Sequence, residues 1–131
     1  MRSIVWKRTL LSALLGLLCG DVSWAGPKNR YSHTGEAQSG VASVYDRSSG
    51  KQTASGEPLQ ERASTAAHRT LPFNTVVEVT NRRNGKKALV RINDRGPFVR
   101  NRIIDLTPAA AKTLGFSGVT DVSLKVVSAT K

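Results

Sequence analysis

Short runs of alternating or β-branched residues are the main structural pattern of this chain. Four runs have this character, at residues 41–45, 75–80, 88–93 and 121–127. Such runs are typical of short strands that bury one face. The sequence therefore predicts four strands, with the folded part beginning near Val41.

Two local signals connect these strands. Asn84-Gly85 lies between the second and third runs and predicts a hairpin with a type I′ turn, in which both central residues have positive φ. Thr107, Pro108 and the following AAAKTL predict a helix of about two turns, with Thr107 as its N-cap and Gly115 beyond its last turn. Short strands, one small helix and Gly-rich loops indicate a mainly β protein, a compact barrel of about 90 residues.

The first 25 residues have the features of a secretory leader. Three basic residues precede an apolar run at 9–19, and the small residues Ser23 and Ala25 follow it. The apolar run is about half the ~20 residues that a membrane-spanning helix needs. Residues 1–25 are therefore predicted to be a signal peptide that is cleaved before Gly26.

The single cysteine, Cys19, provides a second possibility for the N-terminus. A cysteine after an apolar leader can be lipidated, but Leu18 stands where lipoprotein processing favours a small residue. We therefore expect secretion across the inner membrane to the periplasm or cell envelope, with membrane attachment only if Cys19 is lipidated. Residues 26–39 are predicted to be a flexible polar lead-in, and residues 40–128 the barrel domain.

Basic residues dominate the charge of the chain. Lys and Arg total 20 against 9 Asp and Glu, a net charge of +11, of which +9 remains without the predicted leader. Outside the cytoplasm, such a surface meets wall polymers, membrane headgroups and acidic glycans rather than nucleic acid. An aromatic content of 5% also argues against a nucleic-acid binder, and two His with one Cys provide no close metal-ligand set.

Two segments carry the candidate chemistry. Residues 53–70 have little apolar periodicity yet contain Glu57 and His68, and in residues 92–105 a strand ends at Asp94. A carboxylate at a strand end can act as an acid or base. Structural roles remain open for each residue: Asp94 as a turn former, Glu57 as a solvated loop carboxylate, and His68 as a packing residue.

Four motifs in fixed order suggest a family. TASGE, TAAHRTLPF, VEVTNRRNG and VRINDRGP follow one another between residues 53 and 97. Together they resemble the double-psi β-barrel domain of rare lipoprotein A-type lytic transglycosylases of bacterial cell walls, over roughly residues 40–127. The resemblance implies a six-stranded double-psi β-barrel with one or two short helices. It also implies that the protein acts on peptidoglycan glycan strands. We expect a monomer that needs no cofactor.

The same resemblance implies roles for individual residues. It places the functional carboxylates at Asp94 and Glu57, with His68 in the same cleft. On this hypothesis Asp94 acts as acid and then base, cleaving the bond between N-acetylmuramic acid and N-acetylglucosamine to leave a 1,6-anhydro end. Glu57 and His68 would hold the sugar and stabilise the positive charge that develops on its ring.

Neighbouring residues complete the expected site. Those expected to bind substrate are Tyr45, Thr53, Ser55, Asn93 and Arg95, and no metal is expected. The alternative is a non-catalytic, expansin-like module that binds glycan or loosens the wall, with the same barrel and groove but without turnover.

Overall fold

Six strands close into a barrel in a computed structural model of the chain, which describes residues 35, 37–45 and 50–129. The elements in chain order are β1 (Ala37–Val44), β2 (Thr65–Ala67), β3 (Val76–Asn81), β4 (Lys87–Asp94), β5 (Arg102–Leu106), α1 (Pro108–Leu114) and β6 (Val119–Ser128). The predicted signal peptide and most of the lead-in lie outside the described residues. No helix in the described ranges is long and apolar enough to cross a membrane.

The strands follow the order β1-β5-β2-β4-β3-β6 around the barrel. β1 and β5 are parallel, as are β2 and β4, whereas the remaining neighbours are antiparallel. Closure leaves no unpaired sheet edge. The prediction of a mainly β, six-stranded barrel with a short helix is confirmed.

The first strand begins earlier than the alternating pattern predicts. β1 starts at Ala37, inside the predicted lead-in, and pairs with β6 from the Ala37–Lys125 position onward. Its first residues, AQSG, have little β propensity, so their strand conformation depends on backbone pairing with β6. The Ile103 side chain occupies the space that a Cβ at Gly40 would need, which favours glycine there.

The local sequence pattern did not place two of the six strands, β2 and β5. β2 has three residues, and all of them are buried, so it shows neither length nor alternation. β5 overlaps the end of the segment 92–105, in which the sequence analysis looked for catalytic residues. Both strands exist because distant strands pair with them, and a local pattern does not report such pairing.

The predicted hairpin is present, but its predicted turn type is wrong. Gly85 has φ 75°, whereas Asn84 is not among the described residues with positive φ. The loop is longer than two residues, because the Gly85 amide donates to the Asn81 carbonyl at 2.8 Å and the Asn81 amide to that of Lys86 at 2.8 Å. The Asn84 side chain donates to the Leu114 carbonyl at 2.9 Å, which favours this wider loop.

The helix has the predicted position, with one difference at its start. Gly115 follows the helix in the left-handed conformation at φ 71°. Thr107 is the N-cap residue but makes no side-chain capping bond. Its hydroxyl donates instead to the Ala63 carbonyl at 2.6 Å, so it fastens the loop before β2 to the start of the helix.

The core lies inside the barrel and under the helix. Its largest fully buried apolar side chains come from β3, β4, β5, β6 and α1, and are Val77, Val79, Val90, Ile92, Ile104, Leu106, Val122 and Leu114. Burial of such side chains contributes roughly 1.5–3 kcal/mol each.

Asn81 is a buried polar residue that joins three elements at one end of this core. Its Nδ2 donates to the Leu114 carbonyl at 2.9 Å, and its Oδ1 accepts from Thr120 Oγ1 and the Arg83 amide, both at 3.0 Å. We expect Asn81→Ala to lower the free energy of unfolding by about 2–4 kcal/mol, because it leaves buried partners unsatisfied. Urea denaturation measures this loss.

Asn84→Ala is the matched control, since Asn84 donates to the same Leu114 carbonyl from an exposed position. Its loss should stay below about 1 kcal/mol. Equal losses in the two variants would show that burial of Asn81 does not determine its contribution.

Candidate functional site

Asp94 lies at the end of β4 and accepts three hydrogen bonds. Its Oδ1 accepts from the Ala54 amide at 2.9 Å and from the Arg95 amide at 2.8 Å. Its Oδ2 accepts from the Tyr45 hydroxyl at 2.9 Å. Because two backbone amides occupy Oδ1, Oδ2 is the oxygen better placed to exchange a proton with a ligand.

In the part of the chain that the structure describes, Tyr45 supplies the one side-chain donor to this carboxylate. Burial raises the pKa of Tyr45, and the hydrogen bond and negative charge of Asp94 raise it further. The Tyr45 amide donates to the Leu106 carbonyl at 2.8 Å, which fixes the residue beyond the end of β1. Tyr45 is therefore a fixed, protonated donor to Asp94, while its predicted contact with substrate stays a prediction.

The loop that carries Glu57 is a tight turn docked on β4. The Thr53 amide and hydroxyl both donate to the Glu57 carbonyl, at 2.9 and 2.8 Å, and the Thr53 and Ser55 hydroxyls are 2.9 Å apart. The Ser55 amide donates to the Asn93 carbonyl at 3.2 Å. Thr53 and Ser55 thus shape the loop, and their predicted substrate contacts remain untested.

Glu57 is held by a residue that the sequence analysis missed. Arg91 donates from Nη1 to Oε1 and from Nη2 to Oε2 of Glu57, both at 2.7 Å. These bonds lower the pKa of the Glu57 carboxyl. Desolvation opposes them, whereas the charge of Arg91 and a hydrogen bond with the Asn93 side chain lower the pKa further. Glu57 is therefore an ionised carboxylate of fixed orientation rather than a proton donor.

His68 is linked to Asp94 through the backbone rather than through its ring. The His68 amide donates to the Asp94 carbonyl at 3.2 Å. The ring lines a different cavity, of about 330 Å³, where Nε2 lies 3.0 Å from Oε1 of Gln38. Among the described residues, no hydrogen bond joins this ring to either carboxylate of the site, so its predicted catalytic role stays a prediction.

The His68 ring is neutral. Its Nδ1 accepts from the amides of Thr70 and Leu71 at 3.2 and 3.1 Å, which leaves the proton on Nε2. Burial lowers the pKa of His68 to about 4, and the charges of Arg95 and Arg69 add to the shift. The ring therefore closes the turn after β2 as a hydrogen-bond acceptor.

The Arg95 guanidinium points into the same turn rather than toward Asp94. Its Nη1 donates to the Leu71 carbonyl at 2.8 Å and the His68 carbonyl at 3.3 Å, and Cζ lies 4.1 Å from the centroid of the Phe73 ring. The structure thus gives Arg95 a positioning role. Its predicted contact with substrate is not tested by these distances.

A weak sequence pattern could have identified Arg91 as a site residue. It is the charged position in the run ALVRIN, and it alternates with Asn93 along β4. A charge between buried residues of a strand indicates an outward-facing group with a partner. The identity of that partner depends on loop 53–57, whose position no local pattern predicts.

Two carboxylates are thus brought to one end of β4, in a barrel with two parallel strand pairs. This fold and site define a double-psi β-barrel with a polar site at a strand end. Among the described residues, no group of three or more His, Cys, Asp or Glu could hold a metal ion.

The profile of the family described as "Lytic transglycolase" matches residues 37–126, and the chain belongs to that family. It is 52% identical over 97 residues to the endolytic peptidoglycan transglycosylase RlpA of Pasteurella multocida, covering 72% of this chain and 33% of the relative. It is 54% identical over 93 residues to the probable endolytic peptidoglycan transglycosylase RlpA of Nostoc sp., covering 67% and 25%. The chain therefore spans about a quarter to a third of these curated relatives.

Solved structures share the fold. The Streptomyces papain inhibitor aligns with a TM-score of 0.59 at 25% identity, covering 72% of this chain and 97% of that protein. The expansin of Clavibacter michiganensis aligns with a TM-score of 0.55 at 18% identity, covering 72% and 52%. The likeness to the expansin shows the barrel alone.

The lowered pKa of His68 provides a test of whether its ring is buried in the folded protein. Between pH 6.5 and about 4, the His68 ring is protonated in the unfolded chain but not in the folded chain. The free energy of unfolding should therefore fall as pH decreases through this range, by up to about 3 kcal/mol. Urea denaturation at pH 7, 6 and 5 measures the slope above the range where most carboxylates titrate.

His68→Asn should flatten this slope, because the Asn oxygen can accept from the Thr70 and Leu71 amides and does not titrate. Replacing the other histidine, His33→Asn, should leave the slope unchanged. A slope that persists in His68→Asn would assign the titration to another group.

Proposed function

We propose that this barrel is a peptidoglycan lytic transglycosylase in which Asp94 is the acid and base. The observation that carries the proposal is the Asp94 carboxylate, held by two amides on Oδ1 and by Tyr45 on Oδ2. Membership of the lytic transglycolase family and the names of the bacterial relatives support the substrate class.

The proposed reaction uses one oxygen of Asp94 twice. Protonated Oδ2 gives its proton to the glycosidic oxygen as the bond from that oxygen to C1 of N-acetylmuramic acid breaks. The C6 hydroxyl of the same sugar bonds to C1, and its proton passes to Oδ2. Atoms balance without water, and the product is a 1,6-anhydro end. Between the two transfers, the Tyr45 hydroxyl stabilises the carboxylate by donating to it.

Glu57 is proposed to act through its charge. Arg91 keeps the carboxylate ionised and oriented. A fixed negative charge stabilises the positive charge that develops on the sugar ring as the bond breaks. His68, whose backbone reaches Asp94, is proposed to position the strand end.

Export is proposed on the sequence alone. The features of residues 1–25 support secretion into the periplasm or cell envelope, where the substrate lies. The basic character of the remaining chain supports association with an anionic wall polymer.

The first functional prediction concerns Asp94→Asn. Asn retains an oxygen acceptor for the amides of Ala54 and Arg95, so the fold is expected to persist, but it cannot donate an acidic proton. Formation of 1,6-anhydro ends on purified glycan strands should fall by at least about 100-fold, as expected for loss of a general acid. Mass spectrometry of the released fragments measures the product.

Asp121→Asn provides the matched control, because the Asp121 carboxylate is exposed and lies 3.9 Å from Arg83 on the surface. Its rate should equal that of the wild type. Product formation by Asp94→Asn at the wild-type rate would reject Asp94 as the acid.

The second functional prediction concerns the Glu57–Arg91 pair. Glu57→Gln should lower kcat by about tenfold or more, because it removes the negative charge proposed to stabilise the sugar ring. The fold should stay intact, because Glu57 lies on a surface loop. Arg91→Lys should move the acidic limb of the rate profile to higher pH, since the pKa of Glu57 is no longer lowered by two short bonds. Rates across pH 3.5–7 and circular dichroism measure both effects.

Glu78→Gln is the control for this pair, because Glu78 is also a surface carboxylate with a cationic partner, Lys87 at 3.6 Å. Its kcat and pH profile should be those of the wild type. An unfolded Glu57→Gln variant would instead make the pair structural.

A further inference from the structure

The loop between β4 and β5 exposes two adjacent apolar side chains, Phe98 and Val99, which we call the apolar tip. Phe98 is 81% exposed and Val99 is 53% exposed, although Gly96 and Pro97 directly before them are buried. Phe98 is the most exposed large apolar residue of the described part of the chain. Single exposed apolar residues are common on proteins, so the surroundings of this pair decide what it does.

Arg69 holds this loop in one conformation. Its Nε donates to the Pro97 carbonyl at 2.5 Å, and its Nη2 donates to the carbonyls of Val99 and Arg102 at 2.8 and 3.0 Å. The planar guanidinium has its donors in a fixed arrangement, so three such bonds also fix the carbonyls. The apolar tip is therefore exposed on an ordered loop, and little conformational entropy is lost when the tip binds a partner.

The same bonds pair most backbone acceptors of the loop. Three carbonyls accept from Arg69, and the Asn101 carbonyl accepts from the Val41 amide at 3.1 Å. A backbone carbonyl without a partner costs free energy when it leaves water. Because these carbonyls already have donors, the loop can enter an apolar environment at a lower cost than an ordinary solvated loop.

Positive charges flank the apolar tip. Residues 95–104 contain Arg95, Arg100 and Arg102 but no Asp or Glu. Arg100 is exposed, and no ion pair within the described ranges includes Arg100 or Arg102. Arg69 adds another positive charge, since the groups it bonds are neutral carbonyls. The loop therefore combines an apolar tip with an excess of positive charge.

These two features together favour a bilayer over other anionic partners. A wall polymer or a nucleic acid provides negative charge but no apolar phase for the apolar tip. The surface of a bilayer that contains anionic lipids provides both, because the phosphates lie directly above the acyl chains.

We propose that this loop docks the protein on the surface of an anionic phospholipid bilayer. Phe98 and Val99 enter the boundary between headgroups and acyl chains, while the guanidiniums of Arg100 and Arg102 bind lipid phosphates. The contact is peripheral and reversible, and it needs no acyl chain on Cys19.

The inference does not depend on the chemistry proposed for Asp94, although it affects where that chemistry takes place. Phe98 follows Asp94 by four residues, which span at most about 14 Å. A docked loop therefore keeps the Asp94 carboxylate near the lipid surface, where it would act on glycan strands that lie next to a membrane.

The test uses Phe98→Ser in the full chain, purified in the form in which cells export it. Folding should persist, because the Phe98 side chain is largely exposed. The probes are vesicles of phosphatidylglycerol with phosphatidylethanolamine, and vesicles of phosphatidylcholine alone. Co-sedimentation measures the partition coefficient, which Phe98→Ser should lower by at least about tenfold on the anionic vesicles. Phe98→Trp should bind at least as well as the wild type, because an indole suits the interface.

Leu89→Ser is the matched control for the apolar tip. Leu89 is also an exposed apolar residue, at 57%, but it lies on β4 opposite Glu78 and outside the basic loop. Its partition coefficient should equal that of the wild type.

The contribution of charge is tested with Arg100→Gln. This change should lower binding to the anionic vesicles by about fivefold, the effect of one basic side chain at such a surface. Arg82→Gln is the matched control, because Arg82 is also exposed but precedes β4, whose length of roughly 23 Å separates it from the loop. Its effect should stay below about twofold, since charges at this distance are screened by salt.

Insertion of the apolar tip itself is measured by fluorescence. Phe98→Trp is combined with Trp6→Phe and Trp24→Phe, which removes both natural tryptophans of the chain. Brominated acyl chains should quench the remaining tryptophan. This measurement decides even if the N-terminal residues hold every variant on the vesicles.

The outcomes separate this inference from the proposed function. Absence of quenching overturns the inference, as does a larger loss of vesicle binding in Arg82→Gln than in Arg100→Gln. Slower formation of anhydro ends on soluble strands by Phe98→Ser would make the apolar tip a glycan contact and would also overturn it. Vesicle binding that is lost in Phe98→Ser, in a protein that forms no anhydro ends, would support the docking loop and reject the transglycosylase.

Discussion

The hydrogen bond from the Ala54 amide to the Asp94 carboxylate joins the site loop to the end of β4, and the rest of the site depends on this connection. One residue further along the loop, the Ser55 amide donates to the Asn93 carbonyl, and two residues beyond that Glu57 pairs with Arg91. Three successive contacts with one strand fix a loop that has no apolar face of its own. The carboxylate proposed for catalysis is thus also a structural acceptor.

Two carboxylates at one strand end have different surroundings. Glu57 is half-buried and receives two short bonds from a guanidinium, which stabilise its charged form. Asp94 is half-buried, and its donors are two backbone amides and a phenol, so no full positive charge contacts it directly. The nearby Arg95 guanidinium is directed to the Leu71 carbonyl instead. The roles proposed for the two carboxylates, acid for Asp94 and electrostatic stabiliser for Glu57, rest on this difference in their hydrogen-bond donors.

Local sequence patterns predicted the elements that depend on local interactions. The hairpin and the helix followed from Asn84-Gly85 and from Pro108 with Gly115, because caps and turns depend on a few adjacent residues. The turn type was wrong because Asn84 also bonds to the helix end, which is distant in sequence. β2 could not be predicted, since its conformation is fixed by two neighbouring strands.

The site also combines residues that local motifs identify with partners that are distant in sequence. Its motifs identified Asp94 and Glu57 as candidates, but the partners that tune them, Tyr45 and Arg91, lie 49 and 34 residues away in the chain. Barrel closure creates these contacts, so a sequence that shows the reactive groups does not show what orients them.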